Sequence, residues 1–192
     1  MQKTTDKINS LNFDFMKNLL LFLLLVAFTA NLNAQIQKGS KLLGGTVGIN
    51  NISEDGSSST VINVSPQVGF FLSNRFVLGT GLDFNFQTGE AVDEVASLAL
   101  LPFARVYFND SGMSRFFAQL DVGAQIEDLG EIEGAPPLAA GLSLGADFFL
   151  NDNVAIEAQL GYRRVQNFEA DFGVNVIGLN FGVVAFIGGS KE

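Results

Sequence analysis

From residue 41 onward, apolar and polar positions alternate with period two, in runs bounded by clusters of Asn, Asp, Ser, Gly or Pro. That pattern predicts about eight consecutive antiparallel strands of about ten residues each. The clearest is 116–126, where Phe116, Ala118, Leu120, Val122, Ala124 and Ile126 alternate with Phe117, Gln119, Asp121, Gly123 and Gln125. Runs 76–87, 138–150 and 154–163 repeat the split, and 41–50, 59–72, 95–108 and 172–187 follow it with more noise.

Such alternation fits either a soluble barrel or sandwich with an apolar interior or a membrane barrel with an apolar exterior. Side-chain size separates them. Gly and Ser concentrate on the polar face, as a narrow lumen requires, whereas a soluble core takes the bulky face. The bulky face is therefore expected to meet lipid. Short turns at 73–75, 109–114 and 151–153 alternate with longer connections at 51–58, 88–94, 127–137 and 166–171, and in such barrels the short turns face the periplasm. The long connections carry Glu54, Asp55, Glu90, Asp93, Glu94, Glu127, Asp128, Glu131, Glu133, Glu169 and Asp171 with no Lys or Arg, so an anionic outer rim is expected. Next to the short turns, parity places Phe70, Phe76, Phe108, Phe116 and Phe148 on the lipid face as an aromatic girdle. The same parity turns Phe71, Phe103, Tyr107, Phe117 and Phe149 inward as a plug.

Upstream of the alternating region, Leu19 to Ala30 form an apolar run preceded by Lys17 and followed by Asn31-Leu32-Asn33-Ala34-Gln35. The run is too short to span a membrane, and its small-residue exit suits a helical signal peptide over 1–34 cleaved after Ala34, with Met16 as an alternative start. The domain expected after cleavage is 35–192. Composition narrows the chemistry. Among 192 residues there are 0 Cys and 0 His, which excludes disulfides and Ser-His or Cys-His nucleophiles and removes the usual transition-metal ligands. A net charge of −9 argues against nucleic acid, which demands a basic footprint. The acidic connections lack EF-hand spacing, and no metal or cofactor is expected.

On these residues the chain resembles the OmpA/OmpX-like eight-stranded outer-membrane β-barrels of Gram-negative bacteria. Ala34-Gln35 at the end of the signal, the strand Pro102-Phe103-Ala104-Arg105-Val106-Tyr107-Phe108, and the terminal alternation Ile177, Leu179, Phe181, Val183, Ala185, Ile187 carry the likeness. It implies an all-β, up-and-down transmembrane barrel in the bacterial outer membrane. Its implied partners are outer-membrane lipid, lipopolysaccharide and, during insertion, the barrel-assembly machinery. The known enzymes on this scaffold rely on His, so the resemblance implies a non-enzymatic structural, envelope-integrity or surface-interaction role. A narrow cation-preferring pore is the alternative.

Inside the expected lumen lie Asp83, Asp121, Asp147 and Glu157 against Arg105 and Arg163, an excess of about two negative charges, together with Gln119 and Gln159. A symmetric turn at Asp152 sets Asp147 directly opposite Glu157, and these like charges repel unless a cation lies between them. Arg105 is the expected cation, bonded to at least one of Asp121, Asp147 and Glu157 and able to serve more than one carboxylate. A glycosidase-type carboxylate pair needs a cleft that a filled lumen lacks, so these groups are read as a packed ionic network. Arg164 has lipid-face parity and is expected to snorkel from a position near the loop end.

Overall fold

Side-chain acceptors at the short connections set the hairpins. Ser73 Oγ accepts from the N–H groups of Arg75 and Phe76 at 3.3 and 3.1 Å. Asn151 Oδ1 accepts from those of Asn153 and Val154 at 2.9 and 3.0 Å, and Asn109 bridges to Ser114 and Phe116. These local bonds stand in for ladder bonds where the chain reverses. A computed structural model of the chain describes residues 36–54, 57–87, 96–109, 112–126, 135–168 and 172–188. The predicted signal segment 1–34 lies outside them, as do Asp55, Glu90, Asp93, Glu94, Glu127, Asp128, Glu131, Glu133, Glu169 and Asp171, and the side chain of Glu54 is also outside the description.

The strands are β1 (Lys41–Glu54), β2 (Ser57–Phe71), β3 (Phe76–Gln87), β4 (Ala96–Tyr107), β5 (Ser114–Ile126), β6 (Leu138–Phe149), β7 (Val154–Asn167) and β8 (Phe172–Ile187). Each pairs antiparallel with its neighbours in chain order, and β1 pairs with β8 to close an eight-stranded barrel. Closure removes both sheet edges. Two expected connections are corrected. The β1–β2 ladder continues to Glu54↔Ser57 and the β7–β8 ladder to Asn167↔Phe172, so most of 51–58 and part of 166–171 is strand. Asn51, Ser53 and Ser57 to Thr60 have loop composition, yet backbone pairing needs no apolar side chain, and above the apolar belt polar residues continue the ladder.

The bulky alternating set faces outward. Leu120, Leu144 and Leu160 are 57–59% exposed, whereas Asp147 and Glu157 are fully buried. Phe70, Phe108, Phe116 and Phe148 are exposed near the short turns, and Phe76 at the same end is half-buried. An apolar surface running around a whole barrel is far larger than soluble monomers present to water. At the opposite end the belt gives way to polar outward groups: Arg164 donates to Asn175 Oδ1 and Gln166 Oε1, both at 2.9 Å, and the Tyr162 hydroxyl donates to Asn175 Oδ1. Arg164 is exposed there, at the expected loop-end height.

Small residues line the inside because large ones cross it. A Cβ on Gly145 would fall 2.3 Å from Phe117 Cζ and 2.8 Å from the Ala158 carbonyl oxygen. One on Gly79 would fall 2.4 Å from Phe103 Cζ. These glycines provide the room in which the inward aromatics lie. Gly145→Ala is therefore expected to cost about 1–3 kcal/mol by overpacking, read as a lower urea midpoint in detergent. Phe117→Leu in the Gly145→Ala background should recover part of the loss; equal stability of Gly145→Ala and wild type would contradict the packing.

Candidate functional site: the lumen

The lower lumen is closed by a hydrophobic cluster of Leu42, Phe71, Val77, Phe103, Tyr107, Phe117, Ala155, Val184 and Phe186, with Ile36 and Phe149 packed against it. Phe71, Phe103, Tyr107 and Phe117 thus occupy the interior, and Phe149 is half-buried with its ring 5.3 Å from that of Phe186. Phe186 was not among the expected plug residues, although the terminal alternation already turns it inward. Phe71 stacks on Tyr107 at 5.8 Å, and Tyr107 meets Phe117 edge-on at 5.7 Å. Two guanidiniums lie against these rings. Arg105 Cζ sits 3.9 Å from the Phe117 ring centroid and Arg115 Cζ 4.3 Å from that of Tyr107, the geometry in which a cation meets the negative face of a ring.

Arg115 is a further inward charge, outside the set expected from the alternation. Its strand begins at Ser114, two residues earlier than expected, and parity carried back from Phe117 would have turned it inward. It is buried, with Nη2 donating to the Asn74 carbonyl at 2.6 Å and Nε to the Asn109 carbonyl at 3.1 Å. One side chain thereby ties two short turns to the floor. It also corrects the charge balance, because the lumen holds three guanidiniums against four carboxylates among the described residues.

Above the plug, the Arg105 fork uses all five of its N–H donors. Nη1 donates to Glu157 Oε2 at 2.6 Å and to the Tyr107 hydroxyl oxygen at 3.3 Å. Nη2 reaches Glu157 Oε1 at 3.3 Å and Gln67 Oε1 at 3.2 Å, and Nε reaches Gln119 Oε1 at 2.8 Å. Gln67 returns a bond to Glu157 Oε1 at 3.0 Å, and Tyr107 donates to Asp147 Oδ2 at 2.7 Å. The register sets Asp147 directly opposite Glu157, as the symmetric turn predicts. Of the three carboxylates named for Arg105, hydrogen bonds join it to Glu157 alone; Asp147 is taken by Tyr107 and Asp121 by Arg163. The reason is reach: Arg105 stands beside Gln119 on β5, and its fork is filled by groups from β2, β4, β5 and β7.

A second node lies nearer the long connections. Arg163 pairs with Asp83 Oδ2 through Nη1 and with Asp121 Oδ1 at 3.1 Å through Nε. Asp83 Oδ1 also accepts from Ser65 at 2.6 Å and Asn63 at 3.0 Å. Beside it is a cavity of about 60 Å³, lined in part by Asn50, Asn63, Gln119, Gln159 and Asn180. Gln159 is half-buried there, and its Oε1 has no hydrogen-bond partner among the described residues.

No protein-family model matches the chain, and no curated protein matches it. Solved structures do. Neisserial surface protein A is similar at 14% identity over 77% of this chain and 99% of its own, with a TM-score of 0.64. A transmembrane β-barrel designed de novo is similar at 14% identity over 80% of this chain and 100% of its own, with a TM-score of 0.52. The outer-membrane enzyme PagL is similar at 12% identity over 73% and 97%, also with a TM-score of 0.52. With its closed ladder, outward apolar belt and filled polar lumen, the chain has the fold of the eight-stranded outer-membrane β-barrels.

Proposed function

We propose that this chain is a non-enzymatic integral protein of the bacterial outer membrane, exported by the segment 1–34 and cleaved after Ala34, with a structural, envelope-integrity or surface-interaction role. The observation that carries the reading is the lumen, sealed below by the aromatic plug and crossed above it by the Arg105 and Arg163 nodes. A barrel so filled acts through its outer surface and connections, not through transport. PagL carries chemistry on a similar fold, so fold alone does not decide the matter. The chain's own groups do more: with 0 His and 0 Cys, the facing carboxylates Asp147 and Glu157 are fully buried and engaged by Tyr107 and Arg105, away from any substrate. Outer-membrane lipid and lipopolysaccharide would contact the belt, and the barrel-assembly machinery would insert it.

Cell fractionation tests this. The mature protein should begin at Gln35, sediment with the outer membrane and migrate faster on gels unheated than boiled. A mature chain found in the soluble periplasm would overturn the reading. The acidic upper cavity favours one second reading, a narrow cation-preferring pore. In planar bilayers the filled lumen should give no stable openings, whereas steady cation-selective openings would support the pore.

A further inference from the structure

We infer that the upper lumen holds a single alkali-metal cation, of the size of sodium, coordinated by side-chain amide oxygens on one rung of the barrel. Gly48 on β1 pairs with Asn63 on β2 and with Asn180 on β8, and Asn180 pairs in turn with Gln159 on β7. Asn63, Asn180 and Gln159 thus share a rung, and all three line the cavity of about 60 Å³. Asn63 Oδ1, Asn180 Oδ1 and Gln159 Oε1 have no hydrogen-bond partner among the described residues. Asn63 is 97% buried, since only 3% of it is exposed, and its amide is held in orientation because Nδ2 donates to Asp83 and Ser65.

The unmet groups are all oxygens, and two of them face the same space. A Cβ on Gly48 would lie 1.7 Å from Asn180 Oδ1 and 2.6 Å from Asn63 Oδ1, so both oxygens crowd the volume that the glycine leaves open. Acceptors turned on one another require a donor or a cation between them. Charge selects the cation. Among the described residues the lumen carries Asp83, Asp121, Asp147 and Glu157 against Arg105, Arg115 and Arg163, and the one negative charge left over among them, inside a barrel ringed by apolar surface, is costly. A monovalent ion brings the sum to zero. Divalent ions are held by several carboxylates, and among the described residues no cluster of three or more acidic, His or Cys side chains is placed to hold one. Amide oxygens replacing part of a hydration shell suit a hard monovalent ion.

The test uses the protein purified from membranes in a nonionic detergent, unfolded by urea in sodium chloride or choline chloride at equal ionic strength. Sodium should raise the urea midpoint where choline does not, the unfolding constant falling about tenfold for each tenfold rise in sodium above the dissociation constant. Asn180→Leu, which keeps volume but removes the oxygen, should abolish the difference; if that variant does not fold, Gln159→Met serves in its place. Equal midpoints in the two salts, as a lumen filled by water alone or neutralised by a proton gives, would overturn the inference. So would a sodium response that persists in both variants, since that would place the ion at the surface.

Discussion

Replacement of Arg105 by methionine is expected to destabilise the barrel by about 3–5 kcal/mol, the cost of removing one partner of a buried ion pair. Arg105 and Glu157 are both fully buried and 2.6 Å apart, so Glu157 would be left as a charge without its counter-ion. Gln67 and Gln119 would each lose a donor as well. The measurement is the urea midpoint of the refolded protein, followed by the gel shift between folded and unfolded forms. Arg105→Lys should recover little, because an ammonium offers three donors where the fork supplies five to four different partners. Arg105→Met combined with Glu157→Leu should recover most of the loss, since apolar replacement of a whole buried pair is often neutral. If the single Arg105→Met variant matched wild type, the node would not be what braces β4 against β7.

Leu144→Arg carries the next largest effect, about 2–4 kcal/mol, because it places a charge near the middle of the lipid-facing surface. Leu144 is exposed and stands between Ala118 on β5 and Leu160 on β7, midway along the strands. Leu138→Arg, on the same face but at the end of β6 beside the long connection, should cost only about 0–1 kcal/mol. Arg164 already occupies that height, opposite Ala140 and Asn175, and lies among polar partners. The comparison is made by urea unfolding in phospholipid vesicles. Equal costs at the two positions would remove the argument that the belt is buried in a bilayer. A Leu144→Arg variant more stable in aqueous buffer than in lipid would point to a water-facing exterior.

Much of the architecture was legible because period two is a local property. Once Phe116, Leu120 and Leu144 are placed on one face, the pleat settles the facing of Phe117, Gln119 and Asp147 without reference to any other strand. Turn chemistry at Ser73, Asn109 and Asn151 is equally local, and the symmetric hairpin at Asp152 puts Asp147 opposite Glu157 from counting alone. Strand ends at the long connections were not legible. Beyond the belt the strand residues turn polar, so Asn51, Ser53, Gln166 and Asn167 look like loop although the ladder still holds them. Arg115 is a related case: it lies one residue before the apparent start of an alternating run, where parity must be extended rather than observed.

The order of residues in this chain decided by itself which side chains point in and which point out, where the short hairpins reverse, and that the inward set is rich in Gly and Ser. Parity assigns a face, but it says nothing about height or angle around a cylinder. Those come from the stagger with which β1 closes onto β8, a property of all eight strands together. Only the closed barrel therefore decided that Arg105 meets Glu157, that Arg163 bridges Asp83 and Asp121, and that Asn63, Asn180 and Gln159 share one rung around Gly48.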